Sequence, residues 1–258
     1  PKDAYPEMVS GLKDSHMRGY KFATLTIIGK DTPIVLAVEP VKQVSGWEGS
    51  GAERTSVPEV VERLLDTAER YVDIHKVMCD REFSTHRVRE TIDRKGMTYI
   101  IPKRVQAKQD RENIRKVKEH PEYDAATVTY PLTVDERTHD CTFIYLPSTR
   151  DSGGYTLFTT NADADRDRGH GLVAQYRDRW MIENEYKTIK KNFLPMTTSK
   201  DYRVRLFYFV SAVIMYNVWR LTNLLLREIV DTDLGESPPV TAGEIAEIVG
   251  LCLGTGIG

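Results

Sequence analysis

The chain has 258 residues, 40% of them hydrophobic and 29% charged, which is the composition of a folded domain that buries a sizeable core. Its formal net charge of −2 at pH 7 excludes an overall basic field, so affinity for nucleic acid must come from local patches. Cys79, Cys141 and Cys252 show neither zinc-site spacing nor a disulfide framework, and no signal peptide is visible, so we expect a cytoplasmic protein with reduced thiols.

The first readable elements are two strands and a helix. Residues 20–28 alternate and are rich in β-forming residues, and residues 33–41 form a second candidate strand after a Gly-Lys-Asp-Thr turn, which predicts a hairpin. A Gly- and Ser-bearing loop follows over residues 43–55. Ser56 and Glu59 then have the spacing of a capping box, which predicts that a helix begins there.

A strand, a helix and another strand follow over residues 75–101. Residues 75–79 form a short apolar strand that ends at Asp80, and Ser84 can cap the next helix, which stops at Gly96. Residues 97–101 supply the second strand, so the segment predicts a right-handed βαβ unit with parallel strands. Asp80 would then lie at the carboxyl end of its strand, where open α/β sheets place their sites.

The middle of the chain combines a basic run with strand-like segments. Residues 103–118 contain seven basic and two acidic side chains, which fit either a phosphate-binding surface or a solvated amphipathic helix. Three strand-like segments then predict a mainly β insertion: residues 126–134, 141–147 and 155–160.

Helices resume near residue 170 and dominate the rest of the chain. The apolar stretch over residues 206–226 is interrupted by Asn217, Arg220 and Asn223, which favours a buried core helix over a membrane span, and we expect no membrane partner. Thr241 and Glu244 form a last capping box.

The order of these elements resembles the ribonuclease-H-like fold, an α/β fold with a mixed sheet flanked by helices. In this interpretation the chain also carries a mainly β insertion and a helical C-terminal part. That fold needs a first strand before residue 20, and residues 1–19 contain no convincing candidate, so we expect the chain to be N-terminally truncated. The predicted segments are the first part of the core (1–102), the insertion (103–165), the core with its signature helix and following core helix (166–230), and a helical tail (231–258).

Residues 176–190 are the segment that is richest in functional side chains. On a single helix, Tyr176, Arg179, Glu183 and Lys190 would lie within about 60° of one another, and Lys187 would lie beside them. A carboxylate flanked by cations suits a metal-binding acid next to phosphate-binding groups. Spacing alone favours a simpler interpretation, a solvated helix with an i,i+4 pair.

The opposite arc of this predicted helix is apolar. It carries Ile182, Ile189 and Phe193, which we expect to be buried.

Two motifs resemble those of DDE transposases of the insertion-sequence-four group. That group carries the pattern Y-x2-R-x3-E-x6-K, which this chain matches at all four positions: Tyr176, Arg179, Glu183 and Lys190. The group also has an Asp at a strand end followed by an aromatic residue, as in Asp80 and Phe83, although the Gly usual before the aromatic is Glu82 here. The 102 residues between the two acids leave room for the β insertion that is typical of the group. The resemblance spans roughly residues 5–230.

The resemblance implies a transposase that cleaves DNA strands and transfers them. Asp80 and Glu183 would hold two Mg²⁺ ions, which Mn²⁺ can replace. Arg179 and Lys190 would bind DNA phosphates and Tyr176 would pack beside them, and the helical position of Lys187 adds it to this group. The partners implied are double-stranded DNA, at the element ends and the target, and a second copy of the chain in a homodimer.

The first metal-binding Asp of the family should lie on the first strand, and Asp3 and Asp14 are the nearest acids in this sequence. Without that acid, we expect the chain to fold and bind DNA but to cleave it poorly. Two alternatives therefore stay open: a ribonuclease-H-like nuclease without strand transfer, and a non-catalytic DNA-binding remnant of a transposase.

Overall fold

The computed structural model describes residues 9–11, 18–28, 33–41, 56–120, 125–148, 154–230 and 238–255. The chain divides into two compact units. The first unit comprises residues 1–55 and 180–258, and the second unit comprises residues 56–179. The division of the chain into four segments by sequence stays a prediction.

The first unit contains a three-stranded antiparallel sheet with the order β1-β2-β3. Its strands are β1 (Val9–Gly11), β2 (Arg18–Ile27) and β3 (Ile34–Val41). The predicted hairpin is therefore confirmed as β2 and β3. The expectation that no strand precedes residue 20 was wrong, because β1 pairs with β2 in the register Val9↔Tyr20. Three residues are too few to show an alternating pattern, and only pairing with β2 makes them a strand.

Helical segments complete the first unit. They are α5 (Trp180–Thr188), a π-helical turn (Ile189–Phe193), α6 (Tyr202–Val230) and α7 (Ala242–Thr255). The core joins one face of α6 to β3, the π-helical turn and α7, through Val35, Ile189, Phe193, Phe209, Val213, Tyr216, Trp219 and Ile245. The capping box of Thr241 and Glu244 at the start of α7 is confirmed.

By length and composition alone, α6 could cross a membrane. Two of the polar residues that interrupt its apolar sequence satisfy backbone groups of the first unit instead. The side chain of Asn217 accepts a hydrogen bond from Val35 N–H (3.0 Å) and donates one to Val35 O (2.8 Å). Asn223 makes the same pair of bonds with Val240, at 2.8 and 3.0 Å. These bonds attach one face of α6 to other backbone segments of the first unit.

The second unit is built on a five-stranded mixed sheet with the order β4-β5-β8-β7-β6. Its strands are β4 (Lys76–Met78), β5 (Thr98–Lys103), β6 (Ala126–Val134), β7 (Arg137–Pro147) and β8 (Tyr155–Thr160). Its helices are α1 (Val57–Ala68), α2 (His86–Arg94), α3 (Lys108–Lys118) and α4 (Arg166–Tyr176).

The predicted βαβ unit is confirmed, because β4 and β5 are parallel, with Lys76 opposite Thr98, and α2 connects them. The strands predicted for the insertion join this same sheet, since β8 pairs with β5 along Ile100↔Thr160. The capping box of Ser56 and Glu59 at α1 is also confirmed.

Local signals mark the ends of α2. Its N-cap is Thr85, whose hydroxyl accepts from Val88 N–H at 3.2 Å, and not Ser84 as the sequence analysis expected. Gly96 follows the C-terminus with φ +73, a left-handed conformation that glycine adopts without a steric cost.

Candidate functional site

Asp80 lies at the carboxyl end of β4, as predicted. The N–H of Cys79 still donates to Ile100 O of β5 (3.3 Å), so the parallel ladder reaches the residue just before Asp80. A 3-10 turn, Arg81–Phe83, follows immediately, and the carbonyl of Asp80 accepts from Phe83 N–H at 2.9 Å. This turn ends the strand and leaves the carboxylate at the edge of the sheet, with 57% of the side chain exposed.

Two of the predicted DNA-binding residues contact this strand end. Arg179 Nη1 lies 3.4 Å from Asp80 Oδ1, which forms an ion pair. The guanidinium of Arg179 also lies 5.4 Å from the centroid of the Tyr176 ring, a cation–π distance. The Tyr176 hydroxyl donates to Cys79 O at 3.1 Å. The end of α4 and the 3-10 turn after it are thus attached to the strand that carries Asp80.

Burial sets the protonation of the groups around Asp80. Burial raises the pKa of Tyr176 to about 12, so the phenol stays protonated and donates its hydrogen bond at neutral pH. Burial, with a smaller contribution from the charge of Asp80, raises the pKa of Cys79 to about 12. The neighbouring thiol therefore stays neutral, and the carboxylate of Asp80 is the anion at this strand end.

The signature segment is not the single helix that the sequence predicted. Helix α4 ends at Tyr176, a 3-10 turn covers Arg177–Arg179, and α5 begins at Trp180. A 3-10 turn has about 3.0 residues per turn instead of 3.6, so it interrupts the 3.6-residue periodicity on which the prediction depends. The prediction that residues 176–190 form one unbroken helix was therefore wrong.

The members of the motif fall in both units. Tyr176 and Arg179 belong to the second unit with Asp80, whereas Glu183, Lys187 and Lys190 belong to the first. These last three side chains are exposed.

The apolar arc of the segment is largely as predicted. Ile189 (0% exposed) and Phe193 (9%) lie in the core of the first unit, and Ile182 is half-buried.

A buried cation that was not predicted from the sequence lies beside the Asp80 loop. Arg89 on α2 is 1% exposed, and its guanidinium donates to Thr159 Oγ1 of β8 (3.0 Å) and to Ser84 Oγ (2.8 Å). Ser84 closes the 3-10 turn that begins after Asp80, so Arg89 attaches this turn to the sheet. Its position in the sequence could have indicated this burial, because Arg89 follows the apolar Val88 on the buried face of α2.

A second missed residue is Glu185 on α5, which is 2% exposed. Thr26 of β2 donates to Glu185 Oε1 at 3.1 Å, and Thr24 of the same strand bonds with the Tyr186 hydroxyl at 2.5 Å. Burial raises the pKa of Glu185 to about 7, against the lowering effects of the Thr26 hydrogen bond and the charge of Arg220. These bonds attach α5, which carries Glu183, to the sheet of the first unit.

The basic run after β5 forms the predicted helix, α3. Part of its charge is neutralised, since Lys103 Nζ lies 2.6 Å from Asp110 Oδ2 and Arg115 pairs with Glu119 at 3.2 Å. Its role in DNA binding stays a prediction.

Within the described residues, no group of three or more His, Cys, Asp or Glu side chains is arranged to hold a metal ion. The donor chemistry nevertheless fits a hard cation, because Asp80 and Glu183 present carboxylates that are exposed to water. Mg²⁺ is commonly bound by one or two carboxylates and keeps part of its water shell. Each of these carboxylates is therefore, taken by itself, a chemically suitable ligand for such an ion.

Comparisons with known proteins agree with these features. A family model described as a transposase DDE domain matches residues 36–218. The fold is similar to that of a chain in the cryo-EM structure of the piggyBac transposase synaptic complex with hairpin DNA, with a TM-score of 0.64 and 10% identity. The match covers 96% of this chain and 48% of that chain, so this chain spans about half the length of its structural relative. No curated protein matches the sequence. The predicted fold class, a mixed sheet flanked by helices with a helical C-terminal part, is confirmed.

Proposed function

Since the chain belongs to the family of transposase DDE domains, we propose that it cleaves and transfers DNA strands of a mobile element of the insertion-sequence-four type. One observation carries the proposal. Asp80, at the carboxyl end of β4, is contacted by Arg179 and backed by Tyr176, the first two members of the signature motif. If residues 176–190 were only a solvated surface segment, nothing would require Tyr176 and Arg179 to contact the strand end that carries Asp80.

We assign metal binding to Asp80 and Glu183, with Mg²⁺ as the ion and Mn²⁺ as its substitute. Two such ions, when bound, activate an attacking oxygen and stabilise the leaving oxygen of a phosphodiester. Arg179, Lys187 and Lys190 bind phosphates of double-stranded DNA near the reacting end, as cations. A complex that joins two element ends to a target implies a homodimer.

Tyr176 acts through its neighbours. Its hydroxyl is fixed on Cys79 O and its ring packs edge-to-face on Phe158, with ring centroids 5.1 Å apart. The Tyr176 ring also supports the guanidinium of Arg179 through a cation–π contact. We infer that Tyr176 sets the position of Arg179 relative to Asp80.

Strand transfer into a plasmid, from a duplex with a pre-cut element end, tests the proposal. Asp80→Asn and Glu183→Gln should each lower Mg²⁺-dependent transfer roughly 100-fold or more, because each removes a charged oxygen ligand. Glu82→Gln, on the exposed 3-10 turn beside Asp80, is the matched control and should retain activity. Asp3 and Asp14 lie outside the described residues, and Asp3→Asn and Asp14→Asn in the same assay test whether either is the third acid.

A second candidate is a DNA-binding protein without catalysis, favoured by the lack of a three-acid group among the described residues. DNA binding without Mn²⁺ binding would support it. Plasmid nicking without strand transfer would support a nuclease instead.

A further inference from the structure

The ion pair between Arg179 and Asp80 joins two groups that the proposed function assigns to different ligands. Asp80 is assigned to a divalent ion and Arg179 to a DNA phosphate, yet their side chains lie 3.4 Å apart and pair with each other. A carboxylate that faces a guanidinium is a poorer ligand for a cation. Equally, a guanidinium that faces a carboxylate is a poorer ligand for a phosphate. Each group therefore opposes the ligand that the other is meant to bind.

We propose that Arg179 exchanges partners: it pairs with Asp80 in the free protein and with a DNA phosphate once a divalent ion occupies Asp80. This inference rests on the proposed function, and it adds a coupling between metal binding and DNA binding. Because the coupling is an equilibrium property, it is reciprocal. The ion raises DNA affinity by releasing Arg179, and DNA raises metal affinity by withdrawing Arg179 from Asp80.

The surroundings of Arg179 suit such an exchange. A guanidinium presents a planar set of donors that matches a carboxylate and a phosphate equally well. The Tyr176 ring, fixed by its hydrogen bond to Cys79 O, lies 5.4 Å from the guanidinium and supports it. Arg179 is 18% exposed and Asp80 57%, so the pair lies at the surface, where DNA can reach it.

The exposure of Asp80 also sets the size of the coupling. Ion pairs at such positions are weak, and breaking one changes an affinity by roughly 1.5- to 5-fold.

DNA binding without metal is the first test. Fluorescence anisotropy of a labelled DNA duplex of mixed sequence, in EDTA, compares the wild type with Asp80→Asn and Asp178→Asn. Both substitutions remove one negative charge near Arg179, and of these two acids it is Asp80 that pairs with it. We expect Asp80→Asn to bind roughly 2- to 5-fold more tightly than Asp178→Asn. In an Arg179→Gln background this difference should vanish. Equal affinities for the two variants, or a difference that persists without Arg179, would overturn the exchange.

Metal binding without DNA is the second test. Mn²⁺ titrations followed by electron paramagnetic resonance compare the wild type, Arg179→Gln and Arg177→Gln. Both variants remove one positive charge from the same 3-10 turn. Arg179→Gln should bind Mn²⁺ more tightly than Arg177→Gln, and Asp80→Asn should abolish the binding. Equal affinities refute the exchange, and so does failure of all variants to bind Mn²⁺.

The two tests separate the exchange from the proposed function. A wild type that binds no DNA refutes the proposed function, while the Mn²⁺ titration still decides whether Arg179 competes for Asp80. Arg179→Met, which removes the charge and keeps a long side chain beside the Tyr176 ring, replaces Arg179→Gln if that variant unfolds on thermal melting.

Discussion

Glu185 should make the stability of the first unit depend on pH around neutrality. Its carboxyl is 2% exposed, and burial raises its pKa from 4.5 to about 7. A carboxyl whose pKa is higher in the folded state binds more protons there than in the unfolded chain. The contribution of Glu185 to the free energy of unfolding is therefore highest below pH 4.5. It falls as pH rises towards 7 and is constant above that.

The size of the effect follows from the shift. The pKa differs between 4.5 and about 7, and each pKa unit corresponds to 1.36 kcal/mol. Ionisation of Glu185 therefore lowers the free energy of unfolding by ~3 kcal/mol by pH 8, relative to a side chain that does not titrate. Glu185→Gln keeps the side-chain shape and its capacity to accept from Thr26, and removes the ionisation. The variant should consequently be about as stable as the wild type near pH 5 and more stable by ~2–3 kcal/mol at pH 8.

Urea unfolding at a series of pH values between 5 and 8 measures this difference. Fluorescence of Trp219 reports the first unit, because this side chain lies in its core (8% exposed). Glu228→Gln, on the exposed surface of α6, is the control and should leave the pH profile unchanged. If the free energy of unfolding varied with pH in the same way for the wild type and Glu185→Gln, the carboxyl would have the same pKa in the folded and unfolded states. That result would refute the predicted role of Glu185.

Three further substitutions test contacts inside the first or the second unit. Arg89→Met leaves the buried hydroxyl of Thr159 and the half-buried hydroxyl of Ser84 without their donor. The variant should destabilise the second unit by ~1–3 kcal/mol and speed amide hydrogen exchange over residues 81–85, as mass spectrometry would detect. Asn217→Ala removes both hydrogen bonds to Val35; unfolding in urea should show a loss of ~2–3 kcal/mol, and an unchanged midpoint would contradict the role given to this side chain. Asp110→Asn leaves Lys103 without its carboxylate and should cost ~2–4 kcal/mol at pH 7. Because Lys103 and backbone hydrogen bonds lower the pKa of Asp110, the wild type should lose this advantage as pH falls below 3.8, and thermal melts across that range would measure it.

Local patterns in the sequence predict most of the elements correctly. The hairpin, the βαβ unit, two capping boxes and the three strands after residue 125 all follow from alternation, capping and turn residues over a few positions. The placement of Asp80 at a strand end follows in the same way, because the strand and its end are both local. The tight turn between β6 and β7 was missed, since Asp135 and Glu136 adopt positive φ (45 and 69) without the glycine that usually marks such a turn.

The spacing of the signature motif does not predict the backbone conformation of residues 176–190. Y-x2-R-x3-E-x6-K selects four residues by spacing alone, because the pattern of letters is independent of backbone geometry. The four residues do not lie on one unbroken helix, since the 3-10 turn at Arg177–Arg179 interrupts it. The ion pair between Asp80 and Arg179, 99 positions apart, has no signature in either segment alone.

The sequence by itself determined most of the elements, their order and the strand-end position of Asp80. Tertiary structure alone decided that β8 lies beside β5, that Arg89 and Glu185 are buried, and that Arg179 pairs with Asp80. The physical reason is the range of the interactions. Helix and strand preferences depend on neighbours within a few positions, whereas burial of a charge and pairing of strands depend on which distant segments pack together.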